Sequence, residues 1–154
     1  MSEAEITLRS VNGDRAAFVP LLLEADESES VVHTYLNDGD LLEIVANGQP
    51  VGVVLLISPA PTAIEIKNIA LTREYRGRGI GRAAIACLAA RARRHGAGRL
   101  LVGTADSSGR TIDFYRSCGF RDAGRIAGFF DAYPEPVVED GIQAHDMVRF
   151  EMIL

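Results

Sequence analysis

The sequence predicts a mixed α/β domain with a largely antiparallel sheet, and three features of the chain support this fold class. A chain of 154 residues and 16.6 kDa has the size of one ordinary domain, spanning residues 1–154. Two apolar, β-rich runs flank Asn47-Gly48, a dipeptide that tolerates positive φ and is typical of a tight hairpin. Residues 64–104 follow as strand, helix and strand, which predicts one parallel pair with a crossover helix. We expect six to seven strands flanked by about four helices.

The first half of the chain predicts two helices and four strands. Ile6–Arg9 alternates as a short strand, and Asn12 or Asp14 is placed to cap a helix that runs toward Leu23. Pro59-Ala60-Pro61 separates the hairpin from the strand that follows it. The remaining elements of this half are a helix at 31–36 and strands at 41–46, 51–57 and 64–71.

The second half predicts two helices, three strands and one long connector. Ile80, Ala84 and Leu88 recur at helical spacing and form an apolar helix face. The connector at 127–143 is long, which is typical of a functional loop. The elements are a helix at 79–95, a strand at 100–104, a helix at 110–118, and strands at 121–126 and 147–154.

The composition is that of a globular protein. Hydrophobic residues make up 47% and charged residues 24%, which excludes wholesale disorder. No apolar run approaches the ~18–20 residues that a bilayer-spanning helix needs, and the acidic start lacks the features of a signal peptide. Cys87 and Cys118 are too few for a disulfide framework. We therefore expect a cytoplasmic protein with no membrane partner.

Charge is distributed unevenly along the chain. The net charge is −5, yet residues 73–99 carry eight arginines against the single acid Glu74, a local charge of +7. The remainder carries −12, concentrated at 24–43 and 131–146. This pattern predicts one basic site for an anion, with acidic binding surfaces or ordinary solvated surface elsewhere. A pI near 5.2 argues against nucleic acid as a partner.

The glycine-rich segment at 76–82 lies between a predicted strand and a predicted helix. Glycine lets the backbone approach a ligand closely, and the first turn of a helix has unpaired N–H donors. The helix dipole and the arginines favour negative charge at the same place. An ordinary glycine-rich turn is the alternative, but the density of arginine favours an anion, and a pyrophosphate is expected. The segment reads Arg76-Gly77-Arg78-Gly79-Ile80-Gly81-Arg82.

Two nucleotide-binding motifs compete for this segment. The triphosphate P-loop fails, because Arg82 follows Gly81 where that motif needs Lys and then Ser or Thr. The pattern G-x-G-x-x-A of dinucleotide-binding domains fits residues 79–84, and Asp106 lies where its ribose-binding acid belongs. The long loop before the first glycine, the polar residues in strand 64–71 and the preceding hairpin oppose it. A dinucleotide-binding domain is therefore the weaker alternative.

Two segments resemble signatures of the GCN5-related N-acetyltransferases. Arg76-x-x-Gly79-x-Gly81, after a strand that ends Ile69-Ala70-Leu71, resembles the acetyl-coenzyme A (acetyl-CoA) motif of that family. The predicted order of strands and helices fits the family from Ile6 to Leu154. The second segment, Asp113-Phe114-Tyr115-Arg116-Ser117-Cys118-Gly119-Phe120, resembles the downstream FYxxxGF motif.

The resemblance implies acetyl-CoA as the co-substrate. Backbone N–H groups from Arg76 to Arg82 are expected to hold its pyrophosphate. The pantetheine arm is expected to pair with Ile69, Ala70 and Leu71 in a slot between diverging strands 64–71 and 100–104, where the Leu71 N–H polarises the thioester carbonyl. Asp106, Ser107 and Ser108 take the place of a family asparagine that contacts the pantetheine.

The resemblance also implies direct acyl transfer in a ternary complex, and an amine acceptor then needs a base. An ammonium with a pKa of about 10.4 is free base in roughly one molecule in 2,500 at pH 7. Glu65 lies six residues before Leu71, where some members of the family have their base. Alternatively, Glu65 is only an exposed strand residue or an ion-pair partner of Lys67. Asp146 and Glu139 are reserve candidates.

Tyr115 is expected to protonate the departing thiolate, as the corresponding tyrosine does in the family. Helix packing beside Phe114 is the alternative. Cys118 has no His or Asp at a spacing that supports a nucleophile, so we expect a packed thiol. The three histidines lack ligand spacing, so we expect no metal.

The connector at 127–143 holds the aromatic, acidic and proline-rich run Phe129–Pro136. We expect it to fold over the acceptor site and attract a cationic amine through Glu135 and Glu139, whereas a dimer contact or a structural loop is the alternative. We expect the acceptor to be a small-molecule or peptide amine, and the resemblance also suggests a homodimer. A non-catalytic acyl-CoA-binding regulatory module is the rival function.

Overall fold

A computed structural model describes residues 5–154, and the first half of the chain follows the predicted order of elements. Asn47 and Gly48 both have positive φ, at 50° and 81°, and form the expected tight turn. The elements are β1 (Ile6–Ser10), α1 (Val19–Leu22), α2 (Glu29–Tyr35), β2 (Asp40–Ala46), β3 (Gln49–Ala60) and β4 (Ala63–Leu71).

The second half contains the crossover helix and the remaining strands. Of the helices in the described residues, none is long and apolar enough to cross a membrane. The elements are α3 (Ile80–Arg94), β5 (Arg99–Ala105), α4 (Gly109–Ser117), β6 (Arg121–Ile126), β7 (Val138–Glu139), β8 (Ile142–Gln143) and β9 (Met147–Ile153).

Seven strands form one sheet in the order β1-β2-β3-β4-β5-β9-β6. Every neighbouring pair is antiparallel except β4 and β5, which are parallel and joined through α3. The structure confirms the predicted mixed, largely antiparallel sheet with four helices. It excludes the doubly wound parallel sheet that a dinucleotide-binding domain requires.

The sheet separates two apolar cores. α3 and α4 cover one face, where Ile85, Leu88 and Phe150 are fully buried, and α1 and α2 cover part of the other. Alternate residues of β3 enter opposite cores, so Val53 and Val54 are both fully buried. This two-sided burial explains the uninterrupted apolar run at 51–57.

The first helix is shorter than predicted. A 3₁₀ turn at Ala16–Phe18 precedes the single turn of α1, and Asp14 Oδ1 accepts from Ala16 N–H at 2.9 Å. Pro20 has no N–H, so a continuous α-helix from Asp14 would leave the Ala16 carbonyl without its usual donor. Pro20 instead lies in the first turn of α1, where a missing N–H has no cost.

Two further boundaries differ from the prediction. β3 continues through Pro59 to Ala60, with an irregular register against β4 after Ile57. The connector also contains the small hairpin β7–β8, whose turn residues Asp140 and Gly141 have φ of 51° and 78°. Asp-Gly is a common dipeptide in such turns, so the sequence contained a signal for this hairpin.

Candidate functional site

β4 and β5 pair at one end only. The parallel pairing ends at Ile66 with Val102, although β4 continues to Leu71 and β5 to Ala105. The two strands therefore diverge and leave a wedge-shaped gap inside the sheet. The divergence predicted for strands 64–71 and 100–104 is confirmed.

Backbone donors of β4 face this gap. Thr72 N–H donates to Val51 O of β3 at 2.9 Å. Because peptide groups alternate in direction along a strand, the N–H groups of Ile69 and Leu71 face away from β3. These donors lie beyond the end of the β4–β5 pairing, so β5 does not satisfy them.

A β-bulge reshapes the wall of the gap. Leu55 of β3 pairs with Asn68 and Leu56 pairs with Ile66, so Lys67 is an extra residue in β4. Beyond the bulge, Ile69 packs in the same core as Ile66 although the two are three residues apart. Lys67 and Asn68 both line the larger of two cavities at the gap.

The glycine-rich segment forms a loop that leads into α3. Gly77 and Gly79 have φ of 73° and 79°, in the left-handed region that favours glycine. No side chain caps α3, and the first intrahelical bond is donated by Ala83 to Gly79 O. The N–H groups of Ile80, Gly81 and Arg82 therefore point out of the helix end, as an anion site needs.

The smaller cavity, which is lined by nine residues, runs from this loop to the edge of β4. Its width depends on Gly81, because a Cβ at that position would lie 3.2 Å from Phe114 Cζ. The lining residues are Ile69, Leu71, Arg76, Gly77, Gly79, Gly81, Arg82, Phe114 and Tyr115.

The three arginines of the loop have different partners. Arg76 Nε donates to Leu71 O at 3.0 Å, and Arg82 donates to the carbonyl and hydroxyl oxygens of Ser117 at 2.7 and 2.8 Å. Arg78 makes no hydrogen bond or ion pair within residues 5–154. Arg78 is therefore available to an anion, whereas Arg76 and Arg82 brace the loop against β4 and α4.

The larger cavity is lined by 24 residues and adjoins the smaller one. Ile69, Leu71, Arg76 and Tyr115 line both cavities. The predicted cofactor-binding strand and the predicted acid therefore lie where the two cavities meet.

Tyr115 is a packed aromatic residue as well as a cavity residue. Its ring centroid lies 5.4 Å from that of Phe114, 5.6 Å from Phe120 and 6.1 Å from Phe150. Burial raises the pKa of Tyr115 well above its ordinary value. The hydroxyl is therefore protonated across the neutral range, as a proton donor must be.

The connector folds over the larger cavity. Phe129, Phe130 and Tyr133 form an aromatic cluster with ring centroids 5.0 to 6.0 Å apart, and all three line the cavity. Glu139 also lines it, but Glu135 does not. The connector thus contributes to the cavity as expected.

A hydrogen-bond network joins the connector to α2 and β4. Asp26 accepts from Tyr35 at 2.8 Å and from Tyr133 at 3.1 Å. Asn68 Nδ2 donates to the Tyr35 oxygen and to Leu22 O, both at 3.0 Å. Burial, with the nearby Asp26 charge, raises the pKa of both phenols, so they stay protonated as donors to this carboxylate.

The three predicted base candidates lie in different surroundings. Glu65 lies 3.8 Å from Arg149 and does not line the larger cavity. Asp146 accepts from Gly128 N–H and from Arg125, which together lower its pKa, and it too lies outside the cavity lining. Glu139 is the candidate that lines the cavity.

The two serines predicted to contact the cofactor differ in their surroundings. Ser108 lines the larger cavity, and its hydroxyl donates to Glu139. Ser107 Oγ is buried and has no hydrogen-bond partner within residues 5–154. In the same part of the chain, no group of three or more His, Cys, Asp or Glu side chains is placed to hold a metal ion.

Most polar residues in the wall of the larger cavity were not predicted from the sequence. Asp26 and Tyr35 come from α2 and the segment before it, and no local pattern relates them to Asn68 or Tyr133. One signal was present, because the polar pair Lys67-Asn68 interrupts an otherwise apolar strand. Polar residues at that place indicate a strand that borders a site.

Known proteins share both the sequence pattern and the fold. Residues 13–120 match the Acetyltransferase (GNAT) family. YvbK, an uncharacterized N-acetyltransferase of Bacillus subtilis, is 35% identical over 135 residues, which are 87% of each chain.

Two solved structures have a closely similar fold. A GNAT family acetyltransferase of Elizabethkingia anophelis with acetyl-CoA bound has a TM-score of 0.88 and 32% identity, covering 97% of this chain and 98% of its own. A Bacillus subtilis acetyltransferase in complex with CoA has a TM-score of 0.86 and 31% identity. The match covers 97% of this chain and 99% of that one. The family match, the identity and the fold agree, and this chain is a member of the GNAT family of acetyltransferases.

Proposed function

We propose that this enzyme transfers the acetyl group of acetyl-CoA to a primary amine in a ternary complex. The observation that carries the proposal is the meeting of two cavities at Ile69, Leu71 and Tyr115. One cavity leads to the anion loop and the other is walled by the connector. A thioester at their junction is reached by an amine from the second cavity without any movement of the cofactor.

Acetyl-CoA fits the smaller cavity by its chemistry. The N–H groups at the start of α3, with Arg78 beside them, suit the pyrophosphate. The outward N–H groups of Ile69 and Leu71 suit an extended pantetheine arm that adds to β4 as a further strand. Relatives with acetyl-CoA or CoA bound support the same co-substrate.

The reaction at the junction uses backbone and side-chain groups of this chain. The amine nitrogen attacks the thioester carbonyl carbon, whose oxygen accepts from a β4 N–H, assigned to Leu71 from the sequence. The C–S bond then breaks, and the sulfur takes the proton of the Tyr115 hydroxyl, which solvent restores once the products have left. The products are an amide and the free thiol of CoA.

A carboxylate takes the proton that the amine loses. Glu139 suits this role better than Glu65 does, because it lines the cavity while Glu65 lies beside Arg149. Ser108, which donates to Glu139, holds that carboxylate against the start of α4. Transfer through one water is compatible with the same assignment.

The test is release of CoA thiol from acetyl-CoA with a panel of small-molecule and peptide amines. Tyr115→Phe keeps the ring packing and removes the proton, so we expect a loss of kcat of about 10²-fold or more. Glu139→Gln is expected to lose a comparable factor, and Glu65→Gln less than Glu139→Gln. Acetyl-CoA affinity, measured by calorimetry, should change little in all three variants.

Other outcomes of this test have definite meanings. Stoichiometric acetyl-CoA binding with no thiol release for any amine would contradict the proposal and favour the regulatory module. A larger loss of kcat in Glu65→Gln than in Glu139→Gln would show that Glu65, not Glu139, is the base. The homodimer suggested by the family stays a prediction, and sedimentation equilibrium tests it.

A further inference from the structure

Lys67 is the only lysine in a chain that contains 15 arginines, and it lies in the larger cavity. The bulge in β4 is what brings it there, because Leu55 and Leu56 pair with Asn68 and Ile66 and skip Lys67. An ammonium differs from a guanidinium in being a compact charge with three donors that rotate freely.

Two aromatic rings hold this ammonium. Lys67 Nζ lies 5.2 Å from the ring centroid of Tyr35 and 5.9 Å from that of Phe129. Within residues 5–154 no carboxylate oxygen lies within 4.0 Å of Lys67 Nζ. The rings fix the position of the charge and leave its N–H donors without an anionic partner.

Most carboxylates of the same cavity already have partners. Asp26 accepts from two phenols, Glu139 accepts from Ser108, and Glu24 lies 3.7 Å from Arg76. The fourth, Glu27, is exposed to solvent. Lys67 is therefore the partly buried charge of this cavity that has neither a hydrogen bond nor an ion pair within residues 5–154, which favours a ligand with its own carboxylate.

We infer that the acceptor belongs to the amino acid class and that Lys67 binds its carboxylate. The inference rests on the proposed function, because it concerns the acceptor of that reaction. Lys67 and Leu71 lie four residues apart in β4 and line the same cavity, so one ligand there can contact both. Phe130 and Tyr133 offer an apolar wall for the body of the acceptor.

Product analogues test the inference by binding to the CoA-saturated protein. N-acetyl-L-phenylalanine, N-acetyl-L-phenylalaninamide and N-acetylphenethylamine share one body, and the first alone has a carboxylate. We expect the acid to bind at least tenfold more tightly than either neutral compound, as a charged hydrogen bond implies. Isothermal titration calorimetry measures all three dissociation constants.

Two variants separate charge from packing. Lys67→Met keeps the length of the side chain and removes the charge, so the ratio of acid to amide affinity should fall to about one. Lys67→Arg keeps the charge, and the preference for the acid should survive. Circular dichroism and the melting temperature show whether each variant folds.

Three results would overturn the inference: equal affinity of the wild type for acid and amide, no binding of the acid at 10 mM, or a preference that survives in Lys67→Met. Failure of the proposed function would look different. In that case no amine would release CoA thiol, while the binding ratios would still report on Lys67.

Discussion

Tyr115 is both a packed aromatic residue of α4 and a residue of the site. It packs against Phe114, Phe120 and Phe150, and it also lines both cavities. The packing fixes the ring, and the burial keeps the hydroxyl protonated. A proton donor held in this way needs no further hydrogen bond for its orientation.

A second titratable group lies at the base of the connector. His145 Nδ1 lies 2.7 Å from Asp131 Oδ1, and this contact raises the pKa of His145. A raised folded-state pKa means that the stabilising contribution is complete below the unfolded value of about 6.5 and is lost as the pH rises through the folded value.

We therefore predict that His145→Gln lowers the melting temperature most below pH 6.5. The difference from the wild type should vanish at alkaline pH, and thermal melts at several pH values measure it. Asp131→Asn removes the same contact and should give the same profile. A difference that does not vary with pH would exclude the ion pair as its cause.

Single residues of the site were predictable to different extents. Tyr115 and the glycines of the loop were found because each lies in a short local motif. Asp26 and Lys67 acquire their roles from contacts between α2, β4 and the connector, which no local pattern encodes. Glu65 was selected by its spacing from Leu71, but a bulge intervenes, and spacing along a strand then no longer reports which face a residue occupies.

At the level of elements, β4 is the strand on which the site depends. Four of its apolar residues pack in one core, namely Ile64, Ile66, Ile69 and Leu71. Their spacing is two residues except between Ile66 and Ile69, where it is three. An odd spacing within an otherwise alternating strand indicates a bulge. The bounds of β4 were thus predicted to within one residue, whereas its bulge was missed although the sequence contains the signal.

Gly52 of β3 allows β3 and β4 to approach closely. It pairs with Leu71, and an added Cβ would lie 2.5 Å from Ala70 O and 2.7 Å from Leu71 Cδ2. We predict that Gly52→Ala displaces the edge of β4, lowers the free energy of unfolding by about 1–3 kcal/mol and weakens acetyl-CoA binding. Urea unfolding and calorimetry measure the two effects.

Gly98→Ala is the matched control for this substitution. The nearest heavy atom to its added Cβ, Thr62 O, is 3.9 Å away, so its stability should stay within about 0.5 kcal/mol of the wild type. Wild-type stability and affinity in Gly52→Ala would show that β4 does not depend on this close approach.

For the whole molecule, the fold was predictable because two separate motifs and the order of elements agreed. The chemistry of the larger cavity was not predictable, because residues from distant parts of the chain form its wall, among them Asp26, Lys67 and Tyr133. The pairing of residues 107 positions apart, as in Tyr133 and Asp26, is a product of the folded state.

Binding of the co-substrate should stabilise the whole domain. At a concentration of 100 times its dissociation constant, a ligand that binds only the folded state adds about 2.7 kcal/mol. For a domain of this size we predict a rise in melting temperature of roughly 5–10 °C with acetyl-CoA. NAD at the same concentration should cause no rise, and Arg78→Ala should need more acetyl-CoA for the same effect.

Thermal melts over a series of ligand concentrations measure this linkage. An equal rise with NAD would contradict the selectivity expected of the site. The absence of any rise with acetyl-CoA would contradict the assignment of the smaller cavity.

The gap between β4 and β5 also affects how the protein behaves among other chains. A free strand edge attracts foreign strands, and proteins usually keep such edges short, charged or covered. Here the edge at Ile69 and Leu71 is internal: the pairing of Ile66 with Val102 closes one end, and Gly81 and Phe114 of α3 and α4 border it. A slender arm can enter from the open end, whereas a foreign strand would need the whole length of the edge. The unpaired backbone groups of this edge can therefore bind a ligand with little risk of aggregation.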